Sequence, residues 1–309
     1  MTILMTGLCE KGADQIWKQC NDAMYAQGVT WLEEAAYAGD AEAWFFLGHC
    51  YSWGDGAVGF NEKKAYECYL RGASAGSARA VLGALRAGQY DEQMKQSARY
   101  SIEESYRQVR DAAEMGDVYA AWQMGEAVEW EDLADYMPKT ESAREQCLFW
   151  YERAADGGII PAMVKMGKCC QNGTYREKDE KEALRWANQC AASGEVWGLF
   201  QMGEHYRQEE DWEAAFQYDY AAAKQGSSRA MLYLGQMYLN GQGTERNIQA
   251  AVQALEGAAA RNEAESFEEL GNLFYQDELV ERDDEKAFYW YGKAYAAGIK
   301  EAALPLARL

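Results

Sequence analysis

The side chains best suited to chemistry in this 309-residue chain are two histidines, eight cysteines and an excess of carboxylates. His49 and His205 fall at unequal positions of two separate stretches, and neither lies near a serine or cysteine in a nucleophile motif. Cys169-Cys170 with Cys190 and His205 could be drawn as a metal site, but C-x-x-C spacing is missing. Neighbouring residues on a helix also point about 100° apart, which is poor for two ligands of one ion. Gly241-Gln-Gly243 has no strand before it and no lysine correctly placed after it, so it is not a phosphate cradle. Acidic pairs such as Asp283-Asp284 are common in so acidic a chain and carry no catalytic message. The expectation is therefore no enzyme, no metal and no cofactor. What remains is recognition by surface side chains, and the question becomes which elements present them.

Those elements repeat. One set of landmarks is a small residue inside a predicted first helix: Gly48, Gly125, Gly167, Gly203, Gly235 and Gly271, with Leu85 in one copy. The other is the residue closing a second helix: Gly39, Gly76, Gly116, Gly158, Gly194, Gly226, Asn262 and Gly298. Closing residues are spaced 37, 40, 42, 36, 32, 36 and 36 apart, and each precedes the next internal landmark by nine positions. A period in this range marks a helical repeat array. Glycine or asparagine just past a helix can adopt the left-handed conformation that ends it. A glycine inside a helix costs about 1 kcal/mol against alanine, so its repeated use implies close backbone approach. Rows such as Leu270, Phe274 and Met202, Tyr206 give the buried stripe of the first helix. Ala65, Ala183, Ala215, Ala251 and Ala287 mark the second, with Trp31, Trp150, Trp186, Tyr218 and Trp290 at the position three residues further on.

Together these read A-x-x-x-L-G-x-x-Y, loop, K-A-x-x-W-Y-x-K-A-A-x-x-G, a pattern that resembles the Sel1-like repeat family, a relative of tetratricopeptide repeats. Asp284 to Ala294 lies close to its consensus, and Gly241-Gln-Gly243 and Gly54-Asp-Gly56 match its G-x-G loop. The resemblance covers roughly Gly28 to Leu309. It implies an all-α fold, a right-handed α-solenoid of stacked antiparallel helix pairs whose first helices line a concave face. The expected layout is one continuous domain: capping helices over 1–39, seven repeats over 40–298, and a capping helix over 299–309. Within the first cap, Asp14 to Gly28 reads as helical, with the first ten residues mobile, and Val29 to Ala38 as a second helix. Pro305 discourages continuation of the last helix, so that segment reads as a lid.

Three prolines and no apolar run near the roughly 18 residues of a membrane span fit a helical, non-inserted protein. The stretch Met1 to Asp14 has no basic region or long apolar core, so the default location is cytoplasmic. Thirty basic against fifty acidic residues give a net charge of −20. Such a surface repels phosphate backbones, which argues against nucleic acid. It either draws a basic protein surface or simply keeps a long array in solution. The cysteines are irregularly placed, which favours reduced, buried thiols; Cys50 and Cys68 are the pair left open.

Counted from the internal landmark, positions −2, +1 and +5 share one helix face. This ridge places Phe46, His49, Trp53, Arg86, Tyr90, Glu126, Trp130, Lys168, Glu204 and Tyr233 as candidate partner contacts. Trp53, Tyr90 and Trp130 either form an aromatic anchor stripe or pack on their own loops. Extra residues in 88–101 and 130–143, the latter with Tyr136 and Met137, are either binding loops or tolerated drift in length. The family resemblance implies a non-catalytic scaffold or adaptor holding a protein or peptide. Some bacterial members resemble immunity partners, so an acidic inhibitor of a basic toxin or enzyme is the alternative; a hydrolase lacks its nucleophile constellation.

Overall fold

The computed structural model describes residues 6–19, 22–53, 58–130, 143–276 and 280–309, and among these the regular structure is entirely helical. The fold is the all-α solenoid class anticipated from the periodicity. The chain divides into two compact units, Met1–Gln189 and Cys190–Leu309. The first contains the pairs α1 (Gly7–Trp17) with α2 (Asp22–Tyr37), α3 (Ala41–Trp53) with α4 (Glu62–Ala75), and α5 (Ala78–Arg86) with α7 (Ile102–Glu114), the short α6 (Glu92–Ser97) lying between the last two. It continues with α8 (Val118–Glu129), α9 (Ala143–Asp156) and α10 (Ile160–Asn172), up to α11 (Glu180–Ala192) at the boundary. The second unit holds α12 (Val196–Gln208) with α13 (Trp212–Lys224), α14 (Ser228–Asn240) with α15 (Ile248–Ala259), and α16 (Ala264–Gln276) with α17 (Asp284–Ala296). A 3₁₀ turn, Lys300–Ala302, and the one-turn α18 (Ala303–Leu306) follow.

The internal glycines have a specific cause. A Cβ built on Gly48 would lie 2.7 Å from the Tyr69 ring, one on Gly125 2.7 Å from Tyr151, and one on Gly271 2.7 Å from Tyr291. In each case the ring comes from the second helix of the same pair, seven residues before its closing position, and needs a bare backbone to lie on. Leu85 breaks the landmark, yet the close approach survives. Gly83 takes it instead, its Cβ site 2.7 Å from the Tyr69 ring. Tyr69 is thus held between Gly48 and Gly83 and is fully buried.

The closing residues also behave as their chemistry requires. Gly76 has φ +103° and accepts the chain into Ser77, whose side chain caps α5 by accepting from the Ala80 N–H. Asn262 makes the same turn at φ +61°. One turn of backbone therefore ends one helix and starts the next.

The N-terminal segment differs from its expected layout. Asp14 to Gly28 is not one helix: α1 begins at Gly7 and stops at Trp17, and α2 begins at Asp22. The two cross with Gly12 and Gly28 face to face, each Cβ site 2.9 Å from the other's carbonyl oxygen. This is already a helix pair. The insertion in 88–101 is likewise ordered against the body. Its Met94 is fully buried, the Tyr66 hydroxyl donates to Asp91, and Gln89 Nε2 donates to the Glu62 carbonyl at 3.0 Å. It packs on the second helix α4 rather than projecting beside the first helices.

Candidate functional site

In Met1–Gln189 the face built by the first helices is filled by rings. Trp17, from the end of α1, packs on Phe46 and His49 of α3 with centroids 5.1 and 5.5 Å away, and on Trp122 of α8 at 5.7 Å. Asp14 accepts a 2.6 Å hydrogen bond from the Tyr119 hydroxyl, tying α1 to α8 across 105 residues. Phe46 is completely buried and His49 nearly so. The expectation that both touch a partner therefore meets an aromatic cluster in which both side chains are buried against other rings. Sequence spacing put them on the correct helix face; nothing in it announced that Trp17 would cover that face.

His49 is a poor proton carrier here. Both ring nitrogens are buried without a hydrogen-bond partner, and the Glu126 carboxylate stands 4.0 Å from Nε2. Burial first, and the Arg86 charge second, push its pKa down to about 3. The crevice bounded by His49, Trp53, Arg86, Gln123 and Glu126 leaves only about 20 Å³, room for a single water.

Above that layer three successive pairs meet. The Arg86 guanidinium lies 5.1 Å from the Trp53 ring centre and 4.5 Å from that of Trp130. Both indoles remain about half exposed, at 48% and 59%. Trp53 comes from α3, Arg86 ends α5 and Trp130 caps the end of α8. The two rings share one cation between them. Tyr90 does not join this row. α5 stops at Arg86 and the chain turns at Gly88, φ +68°, so Tyr90 lies past the helix, half-buried against the core. Tyr136 and Met137, and the G-x-G loop at Gly54 and Gly56, lie outside the described residues. Lys168 is exposed on α10.

At the other end of α5 sits a buried charge cluster that the ridge pattern did not reveal. Arg79, with no exposed surface, is paired with Asp117, which caps α8, and lies 3.7 Å from Glu42 of α3. Burial pushes the Glu42 carboxyl up to about 7 against the pull of Arg79. Arg79 stands three residues after a closing glycine, the register also held by Arg229, which reaches Glu265 at 3.5 Å. That recurrence is the sequence signal by which the cluster could have been found.

In Cys190–Leu309 the first-helix face is open. A cleft of about 540 Å³ is lined by Arg207, Trp212, Tyr233, Gln236, Asn240 and Glu269, among others. The Arg207 guanidinium lies 3.7 Å above the Tyr233 ring and is paired with the buried Asp219. Gln236 Nε2 donates to Glu269 Oε1 at 2.8 Å. Tyr233 is thus brought into the cleft, whereas Glu204, half-buried on α12, does not line it.

The seven described cysteines are all buried, Cys50 and Cys68 included. Burial raises the thiols of Cys68 and Cys147 to about 12, so neither is a nucleophile near neutrality. No group of three or more metal-ligating side chains occurs among the described residues. No described helix is long and apolar enough to cross a membrane.

A family model described as "Sel1 repeat" matches residues 23–40, 41–77, 118–159, 160–195, 228–262 and 268–299. The stretches passed over include the pair with Leu85 at the glycine landmark and the pair with Asp219 where others carry Tyr69 or Tyr291. An uncharacterized protein of Neisseria meningitidis is 26% identical over 208 residues, 66% of this chain and 40% of its own length. Among solved structures, a protective antigen of uropathogenic Escherichia coli with an SLR fold superposes with TM-score 0.65 at 21% identity, over 91% of this chain and 59% of that one. A Sel1 repeat protein from Oxalobacter formigenes gives TM-score 0.55 at 21% identity, over 97% and 85%. The chain spans less than two thirds of the first two proteins' lengths, and at this identity the structural likeness speaks to fold alone.

Proposed function

The chain belongs to the Sel1 repeat family, and we propose that it is a non-catalytic interaction scaffold that holds a protein or peptide against its first-helix surfaces. The observation carrying this reading is the Trp53–Arg86–Trp130 stack. Three separate pairs bring their helix ends to one platform, two half-exposed indoles on a partly buried arginine. Tryptophan and arginine are the residue types that dominate interface energetics. A platform serving only to pack the chain would be covered, and Trp53 and Trp130 are not. The crevice beneath is too small for a ligand of its own, which directs binding to the surface.

The charge of −20 favours a partner with a basic face, and an inhibitor that sequesters a basic toxin or enzyme is the second reading. The buried free thiols of Cys9, Cys68, Cys147, Cys169 and Cys170 support a reducing, cytoplasmic setting. The test is affinity purification with the intact chain and with Trp53→Ala and Trp130→Ala forms. Each truncation should weaken capture of a specific partner about tenfold or more, with helicity unchanged. A stable equimolar complex with one basic protein would select the inhibitor reading, and several partners the scaffold. Undiminished capture by both variants would remove the platform from the account.

A further inference from the structure

Arg79, without exposed surface, stands among three carboxylates: Asp117, with which it is paired, Glu42 at 3.7 Å, and Asp40 beside Glu42. Four elements close over these groups. α3 begins on Asp40, whose Oδ1 accepts from the Glu42 and Ala43 N–H groups at 2.9 and 3.3 Å. α5 begins on Ser77, whose hydroxyl also donates to Glu42. α8 begins on Asp117. The fourth element is the first turn of α1. There the Thr6 N–H donates to Asp40 Oδ2 at 2.7 Å, and the fully buried Cys9 thiol hydrogen-bonds to the same carboxyl. Arg79, Asp40, Asp117, Ser77 and the Cys9 thiol are thus the charged and titratable groups around Glu42.

Glu42 is the group left short of partners. Its Oε2 is buried with no hydrogen-bond partner among the described residues, and the nearby Arg79 guanidinium is already engaged by Asp117. A buried carboxyl oxygen without a donor is destabilising as an ion and tolerable as an acid. Asp40, Asp117 and Arg79 sum to −1 while Glu42 is neutral, and ionising Glu42 takes the total to −2. The raised Glu42 pKa of about 7, set first by burial, agrees with this. Water must reach the cluster to relieve the second charge. α3, α5 and α8 have their caps inside it, but α1 meets it through one turn, and the ends of elements open most readily.

We propose that Glu42 is a proton-dependent latch: protonated, it keeps the Thr6–Cys9 turn of α1 closed over the cluster, and ionised, it releases that turn to water. The rest of α1 stays in place, tied to α8 by Asp14 and Tyr119 and packed through Trp17. His49 touches Trp17, at the far end of α1 from Cys9, and remains covered when only the first turn lifts. In the opened turn Glu42 regains its ordinary 4.5. Closure is therefore strongest below 4.5, weakens as pH rises to about 7, and levels off above.

The test is the rate of Cys9 alkylation by N-ethylmaleimide in the intact chain, divided into the rate in the urea-unfolded chain at the same pH. That ratio cancels the thiol's ordinary titration and reports protection alone. Cys147, buried on α9, is the reference within the same molecule. Between about pH 5.5 and 7.5, Cys9 protection should fall about tenfold or more while Cys147 protection holds, and Glu42→Gln should abolish the fall. Should E42Q fold poorly by circular dichroism, amide exchange in the wild type decides. The Cys9 and Glu10 amides, both bonded to Thr6, should lose protection over that range relative to Ile16. Parallel loss at Cys9 and Cys147 would mean global opening and overturns the proposal. So does a flat Cys9 profile, or a wild-type pH dependence retained in E42Q.

Discussion

Arg207 and Asp219 form an ion pair beneath the first-helix face of the second unit, with Asp219 wholly buried and Arg207 nearly so. The position held by Asp219 is that of Tyr69, Tyr151, Leu255 and Tyr291 in other pairs, and like them it lies on an internal glycine, Gly203. An apolar layer has been replaced by a charge and its partner. Removing one member leaves the other uncompensated, so Asp219→Leu or Arg207→Met alone should destabilise by about 3–5 kcal/mol. The double replacement should recover most of that loss, because Leu255 shows an apolar side chain serving in the same place. Denaturant melts of the two single forms and the double form check this through their coupling energy.

The glycine contacts give a paired prediction of opposite sign. Gly48→Ala places a methyl 2.7 Å from the Tyr69 ring and should cost about 1–3 kcal/mol through overpacking. Gly292, also within a helix, has nothing within 4 Å of its Cβ site. Gly292→Ala should stabilise by up to about 1 kcal/mol, the helix-propensity difference. Equal effects at both sites, read from urea midpoints, would mean that ring-on-glycine packing is not what selects Gly48.

His49 sets a pH dependence. Its folded pKa, about 3, lies below the ordinary 6.5, so the unfolded chain binds the extra proton across that interval. The stability tied to neutral His49 is present above pH 6.5 and lost as pH falls toward 3. At pH 5, 1.5 units below 6.5, the loss comes to about 2 kcal/mol. Glu42, whose pKa is raised, works in the opposite direction as pH rises through about 7 and is common to both chains when wild type is compared with His49→Phe. The difference in unfolding free energy between them should therefore shift by that amount from pH 7 to pH 5. A pH-independent difference would show that His49 titrates in the fold as it does in the unfolded chain.

The repeat pattern was legible because its causes are local: a left-handed closing glycine, a capping residue after it, and a stripe spaced by the helical turn. The ridge was legible only as a face. Spacing brought Trp53, Arg86 and Trp130 to one side, but could not say that Arg86 would lie between the two rings. It placed Phe46 and His49 on that side too, with no means of foreseeing Trp17, which arrives from outside the repeat register. Tyr90 was misplaced for a simple reason: counting five residues from Leu85 assumes a helix that in fact stops at Arg86. Asp219 breaks the apolar rule at its position, and its ion pair with Arg207 is the physical reason.

The central claim is that partners meet the first-helix surface at the Trp53–Arg86–Trp130 platform. Site-specific photocrosslinking in cells tests it most directly, with a benzophenone-bearing phenylalanine placed in turn at Trp53, Trp130, Phe149 and Phe288. All four side chains are exposed aromatics, but Phe149 and Phe288 lie on the second helices α9 and α17. The account predicts a discrete adduct with a protein partner from positions 53 and 130, and none from 149 and 288. Adducts confined to positions 149 and 288 would contradict it.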